Sequence, residues 1–118
     1  GMPPEEFEKE IVAMFIRLGY RTKHVGHSHD GGIDAIAKKD GEEYLIQCKK
    51  YSTSVAGVNE VRAFNGVVSS HLAKKGFFIT TNNFTTEAIR EFENNPRIEL
   101  VDSFKLLEYY KSSLNARV

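Results

Sequence analysis

No tryptophan, one cysteine, three prolines and no excess of either charge characterise this 118-residue sequence, and each shortage removes a class of protein. A single cysteine excludes an internal disulfide framework and a multi-cysteine zinc site, and it suits a reducing cytoplasm. Few prolines, nine glycines and 27% charged residues exclude a disordered or fibrous chain. Apolar runs are only a few residues long, so the sequence offers no membrane span. The start Met2-Pro3-Pro4-Glu5-Glu6 lacks the basic, then apolar, stretch of a secretion signal. Cytoplasmic localisation is therefore the expectation, and Gly1 reads as a cloning remnant. The 16 basic and 16 acidic residues cancel, which argues against a non-specific basic coat for nucleic acid. Any nucleic-acid role has to come from charge arranged locally.

What is present describes one ordinary domain over residues 3–118, with 41% apolar content and no repeat or linker. Pro3-Pro4 with Glu5 and Glu6 suits a helix start, and Phe7, Ile11, Met14, Phe15 and Leu18 recur at helical spacing until Gly19. Strands are expected over 20–25, 33–37 and 44–48, the last two joined by a two-residue turn at Asp40-Gly41. Val58, Val61, Phe64, Val68 and Leu72 mark a long helix ending near Lys74-Lys75, with Gly76 as its stop. A buried strand follows over 76–81. Next comes a helix capped by Thr85 or Thr86, with Ala88, Ile89 and Phe92 inward, that ends at Asn94-Asn95-Pro96. A strand over 98–101 leads to a final helix capped by Asp102 or Ser103 and carrying Phe104, Leu106, Leu107 and Tyr110. This order predicts an α/β domain with a mixed sheet, an antiparallel meander first and crossover helices after.

The Asp40-Gly41 turn sets a register in which Lys39 faces Glu42 and, extended, Asp34 faces Gln47. Lys49 lies two residues along on the face of Gln47, whereas Ile33, Ala35, Ile46 and Cys48 point the other way. A carboxylate, an amide oxygen and an ammonium thus gather on one face. Opposed Cβ atoms lie about 4.5–5.5 Å apart, close enough for two oxygens to share a hard cation such as Mg2+. Ile36 and Leu45 on the same face argue that it is buried rather than a solvated strand end. Glu8 falls inside the apolar arc of the first helix, where it can join such a site.

These segments together resemble the Mrr-type restriction endonuclease catalytic domain, a branch of the PD-(D/E)xK nucleases. The resemblance rests on Glu6-Phe7-Glu8, Leu18-Gly19-Tyr20, Asp30-Gly31-Gly32-Ile33-Asp34, Gln47-Cys48-Lys49-Lys50-Tyr51, and Phe78-Ile79-Thr80-Thr81 with Phe84-Thr85, in family order across nearly the whole chain. It implies a restriction endonuclease-like fold, an α-β-β-β-α-β core with further C-terminal elements. It also implies a metal-dependent endodeoxyribonuclease using Mg2+ or Mn2+. By resemblance, Asp34 binds metal, Gln47 replaces the usual acid of the (D/E)xK element, Lys49 is catalytic and Glu8 assists the metal. Losing one negative charge at Gln47 makes metal affinity lower and more dependent on a DNA phosphate as co-ligand. The alternatives are a nuclease selective for four-way junctions and a non-catalytic DNA-binding module retaining the fold. A homodimer, or a fused or separate recognition module, is the expected partner besides DNA.

His24, His27, His29 and Asp30 invite a zinc reading, but they lack a cysteine partner or an H-E-x-x-H helix, so a substrate-facing loop beside Asp34 is preferred. Cys48 reads as a core thiol. Contacts to DNA are expected from His29, Lys50, Tyr51, Thr80 and Thr81, with Arg21, Lys23, Lys74 and Lys75 as further cations.

Overall fold

The computed structural model describes residues 2–26, 32–50 and 55–116. The elements are α1 (Pro4–Arg17), β1 (Arg21–His24), β2 (Ala35–Lys39), β3 (Glu42–Lys49), α2 (Val58–Ser70), β4 (Lys75–Thr80), α3 (Thr86–Phe92), β5 (Ile98–Val101) and α4 (Ser103–Asn115). The five strands form one sheet in chain order, antiparallel from β1 to β3 and parallel from β3 to β5. Parallel neighbours require crossovers, which α2 and α3 provide.

The central strands of the sheet are buried on both faces. Leu45 and Phe78 pack with Val61, Phe64 and Val68 of α2 and Ala88 and Phe92 of α3. On the other face, Ala35, Ile46, Phe77 and Ile79 pack with Phe7, Ile11, Met14 and Phe15 of α1 and with partly buried Leu106 and Tyr109 of α4. The core of β3 accordingly reads as a continuous apolar run, as a strand covered on both sides should.

Local chemistry sets the boundaries. Gly19, at φ +99°, follows the end of α1. Asp40 and Gly41 both take positive φ, 54° and 78°, so the hairpin turns as expected and Lys39 pairs with Glu42. Thr85 caps α3 by accepting from the Ala88 amide, and Asp102 caps α4 by accepting from the Lys105 amide.

Four expectations are corrected. Helix α2 ends at Ser70, not at Gly76, because Leu72 takes the left-handed conformation, φ 55°, that reverses the chain. Gly76 serves a different purpose inside β4: a Cβ there would lie 2.4 Å from Val68 Cγ2 and 2.7 Å from Phe64 Cε2, so α2 approaches the sheet only over a bare backbone. Ile89 is exposed, as are Phe104, Leu107 and Tyr110, since neither α3 nor α4 is covered on its outer side. Finally, Ile33 packs with Leu45 and the α2 side, opposite to Ala35 and Ile46. The strict two-residue alternation therefore breaks at Asp34.

Candidate functional site

The break at Asp34 positions the site. Pairing of β2 with β3 runs from Lys39↔Glu42 to Ala35↔Ile46, and the Asp34 amide then donates to the Ile46 carbonyl at 2.8 Å. That bond is one residue short of the Gln47 partner which the hairpin register gives by extension. An irregularity of this kind bends the strand and re-aims a side chain. Asp34 Oδ2 accepts the Cys48 amide at 2.7 Å, so the carboxylate is fastened to the end of β3.

Around Asp34 stand Glu8 from α1, His24 from the end of β1 and Lys49 from the end of β3, each close enough to act on it electrostatically. Burial pushes the Asp34 carboxyl up to about 6 from 3.8; the Cys48 amide bond opposes this, Glu8 adds to it, and Lys49 and His24 oppose it. Glu8 is itself held, because its Oε1 lies 2.8 Å from His24 Nε2 and both side chains are largely covered. Sequence reasoning gave His24 only the unfavoured zinc reading and missed this pairing. The signal was available in Glu8 on the apolar arc, an acid that needs a polar partner if it is to be covered.

Gln47 is buried, and among the described residues its Oε1 has no hydrogen-bond partner. Gly32, at φ +87°, lies against this amide, and a Cβ there would fall 2.8 Å from Gln47 Nε2. An orphaned buried oxygen is costly unless something else satisfies it. The orphaned amide oxygen, a desolvated Asp34 and the Glu8 carboxylate beside it form a set of hard oxygen donors short of positive charge, which suits a divalent cation. No group of three or more His, Cys, Asp or Glu side chains among the described residues is disposed to hold a metal alone.

Other expected residues divide clearly. Lys49 is half-buried and Lys50 is exposed beside it. Thr80 is fully buried and its hydroxyl accepts the Asn82 amide, so it shapes the turn after β4 and is removed from direct contact with DNA. Thr81 is half-buried and its amide donates to the Lys49 carbonyl, which places it beside the site. The cations at 74 and 75 separate: Lys75 pairs with Glu99, and both lie at the opposite end of the sheet from Lys49 and Thr80. Cys48 is buried and its thiol is pushed up, chiefly by desolvation, which fits a core thiol. The expectations for His27, His29, Asp30 and Tyr51 lie outside the described residues.

Comparison with known proteins bears on the family and the fold. The family model for a restriction endonuclease catalytic domain, Mrr_cat, matches residues 1–110. The chain is 35% identical to the type IV methyl-directed restriction enzyme EcoKMrr of Escherichia coli K12 across 88% of its own length, and it spans 36% of that enzyme. Among solved structures, the DNA modification-dependent restriction endonuclease AspBHI superposes with a TM-score of 0.73 at 20% identity, covering 93% of this chain and 31% of its own. A repair endonuclease from Pyrococcus abyssi superposes with a TM-score of 0.66 at 16% identity, covering 86% and 47%. Both likenesses establish the restriction endonuclease-like fold. No helix among the described residues is long and apolar enough to cross a membrane.

Proposed function

The chain belongs to the Mrr-type restriction endonuclease family, and from that premise we propose that its site hydrolyses DNA phosphodiester bonds with the help of Mg2+ or Mn2+. The observation that carries this reading is a desolvated Asp34 with Glu8, His24 and Lys49 around it, fastened to the Cys48 amide next in sequence to Gln47, whose buried oxygen has no partner among the described residues.

Asp34, Gln47 and Glu8 would hold the cation. When bound, it supplies charge that polarises the scissile phosphate and acidifies a water. The Cys48 amide fixes the rotation of the Asp34 carboxylate, and His24 fixes Glu8. Gln47 contributes a neutral oxygen, which leaves the set with one negative charge fewer than a three-carboxylate shell and makes the phosphate oxygen a needed participant. Lys49 offers its ammonium to the phosphate, where it offsets the negative charge that grows as water adds to phosphorus, and it orients that water. The new P–O bond forms from water, which gives up a proton to solvent, the bond to the leaving sugar oxygen breaks, and that oxygen takes up a proton from solvent. No covalent enzyme intermediate is required, consistent with a buried, protonated Cys48.

Among the described residues, the groups proposed for the site address phosphate and none addresses a base edge. EcoKMrr is named as methyl-directed. We assign to this domain the cut and not the choice of sequence or methylation, which a recognition module would supply. The test is plasmid nicking by the purified chain with Mg2+, Mn2+ or EDTA, on methylated and unmethylated DNA. The expected result is metal-dependent nicking of both, abolished in Asp34→Ala and Lys49→Ala. DNA binding without nicking in a folded preparation would replace the reading with a binding module, and strong preference for four-way junctions would replace it with a junction resolvase.

A further inference from the structure

The face of β3 that carries Gln47 and Lys49 continues sideways onto β2 and β1, beyond the cover of α2 and α3. Cross-strand partners share a face, and the register aligns Arg21 with Lys38, Lys38 with Glu43, Lys23 with Ile36, and Ile36 with Leu45. Leu45, Gln47 and Lys49 then alternate along the same face of β3. An open depression of about 370 Å³ lies here, lined by Arg21, Thr22, Lys23, Ile36, Lys38 and Glu43.

Two features of this depression point to an anionic occupant. Arg21 and Lys38 stand directly opposite one another, an arrangement of like charges that destabilises a sheet, and the one carboxylate on this face, Glu43 across from Lys38, offsets only part of it. Moreover, Arg21, Lys23 and Lys38 are exposed, and among the described residues none has an ion-pair partner, although the chain as a whole is neutral. Four cations elsewhere are matched, Arg62 with Glu91, Lys9 with Glu5, and both Lys75 and Lys105 with Glu99; other exposed cations, such as Arg90 and Lys111, stand singly on helices rather than together on one strand face. Lys23 and Arg21 follow each other along one face at about 6.6 Å, two strand residues apart. That interval is comparable to the separation of neighbouring phosphates on one nucleic-acid strand.

We infer that Arg21, Lys23 and Lys38 form a phosphate track that holds the DNA backbone beside the cut, on the side of the site toward β1. The inference rests on the nuclease reading for its occupant and adds to it where the flanking duplex lies. The track would let a domain of zero net charge bind a polyanion, because three cations and one acid share this exposed strand face. Charged side chains on an edge strand also discourage edge-to-edge pairing, and that rival role predicts a different outcome below.

The experiment is fluorescence anisotropy of a duplex oligonucleotide in EDTA at several KCl concentrations, comparing wild type, Arg21→Gln/Lys38→Gln, and Arg90→Gln/Lys111→Gln, whose exposed cations lie on α3 and α4. Removing one cation that neutralises a phosphate should reduce the slope of log K against log salt by about 0.9. The track variant is expected to give up nearly two units of slope and bind about tenfold or more weakly at about 50 mM salt, with Tm unchanged or raised. The control variant should keep the wild-type slope. The track is overturned if its variant keeps that slope, if the control's slope falls as much, if wild type shows no measurable binding, or if the variant only aggregates without a change in slope. Nicking by wild type, measured in parallel, separates the two readings: nicking with an unchanged slope removes the track alone, and a changed slope without nicking removes the catalysis alone.

Discussion

Asp34 Oδ2 and the Cys48 amide nitrogen lie 2.7 Å apart, and this single bond couples the acid that precedes β2 to the backbone of the strand that carries Gln47 and Lys49. It holds a carboxylate in a desolvated position that the folded chain would otherwise disfavour.

The pH dependence follows. Folded and metal-free, Asp34 titrates at about 6 against 3.8 ordinarily, so the native state binds that proton more tightly than the unfolded chain between those values. Stability therefore falls as pH rises through this window and stays lower above it. Asp34→Asn removes the charge while keeping an oxygen for the Cys48 amide. In EDTA at about pH 7.5 it should raise Tm by a few degrees, the gain fading toward about pH 4. Nicking should drop by at least about a hundredfold. Thermal melts across pH, with nicking assays, check both outcomes; a lower Tm for Asp34→Asn at neutral pH would contradict the desolvation argument.

His24 holds Glu8 and does not itself reach the phosphate in the proposed chemistry. Removing a partner that orients a metal ligand costs about 10–100-fold in affinity or activity. His24→Ala should weaken Mn2+ binding, read by the free-ion signal in electron paramagnetic resonance, by about tenfold. His24→Gln, which can still donate to Glu8, should recover part of it.

Gly32→Ala meets two obstacles at once. Its φ of +87° lies where an L side chain costs about 1–2 kcal/mol, and its Cβ would intrude on Gln47. Nicking should fall by about tenfold or more with a modest loss of stability, and adding Gln47→Ala should relieve the contact but not the backbone strain, leaving both stability and activity below wild type.

Gly76→Ala tests the fold apart from the chemistry. The added methyl meets Val68 and Phe64, neither of which has free volume to retreat into, and overpacking of this kind costs about 1–3 kcal/mol. Urea denaturation should show the loss, while Mn2+ affinity of the folded fraction stays near wild type.

The hairpin was legible because short-range rules govern it. Asp40-Gly41 admits a tight turn, and the turn fixes which residues face each other down to Ala35 and Ile46. Legibility ended where the ladder stopped being regular. Nothing in Ile33-Asp34-Ala35 announces that alternation breaks there; it breaks because Ile33 finds its volume on the α2 side while Ala35 fits under α1. Gly76 was misread for a similar reason, since a glycine after a helical pattern looks like a stop unless the helix packing over it is known. The bond between His24 and Glu8 joins the first helix to an edge strand, a tertiary contact that periodicity does not encode.

The sheet order has a consequence in time. Glu8, His24, Asp34, Gln47 and Lys49 all belong to α1 and the first three strands, yet β3 is only half paired until β4 docks in parallel beyond α2. Parallel pairing across a crossover comes late, because loop closure must precede its reward. A nascent chain that ends near Lys49 therefore already holds every proposed ligand but leaves β3 as an open edge, and circular dichroism of residues 2–50 should find little native structure. The proposed site is complete only when the half of the domain that contributes none of those residues has folded against it.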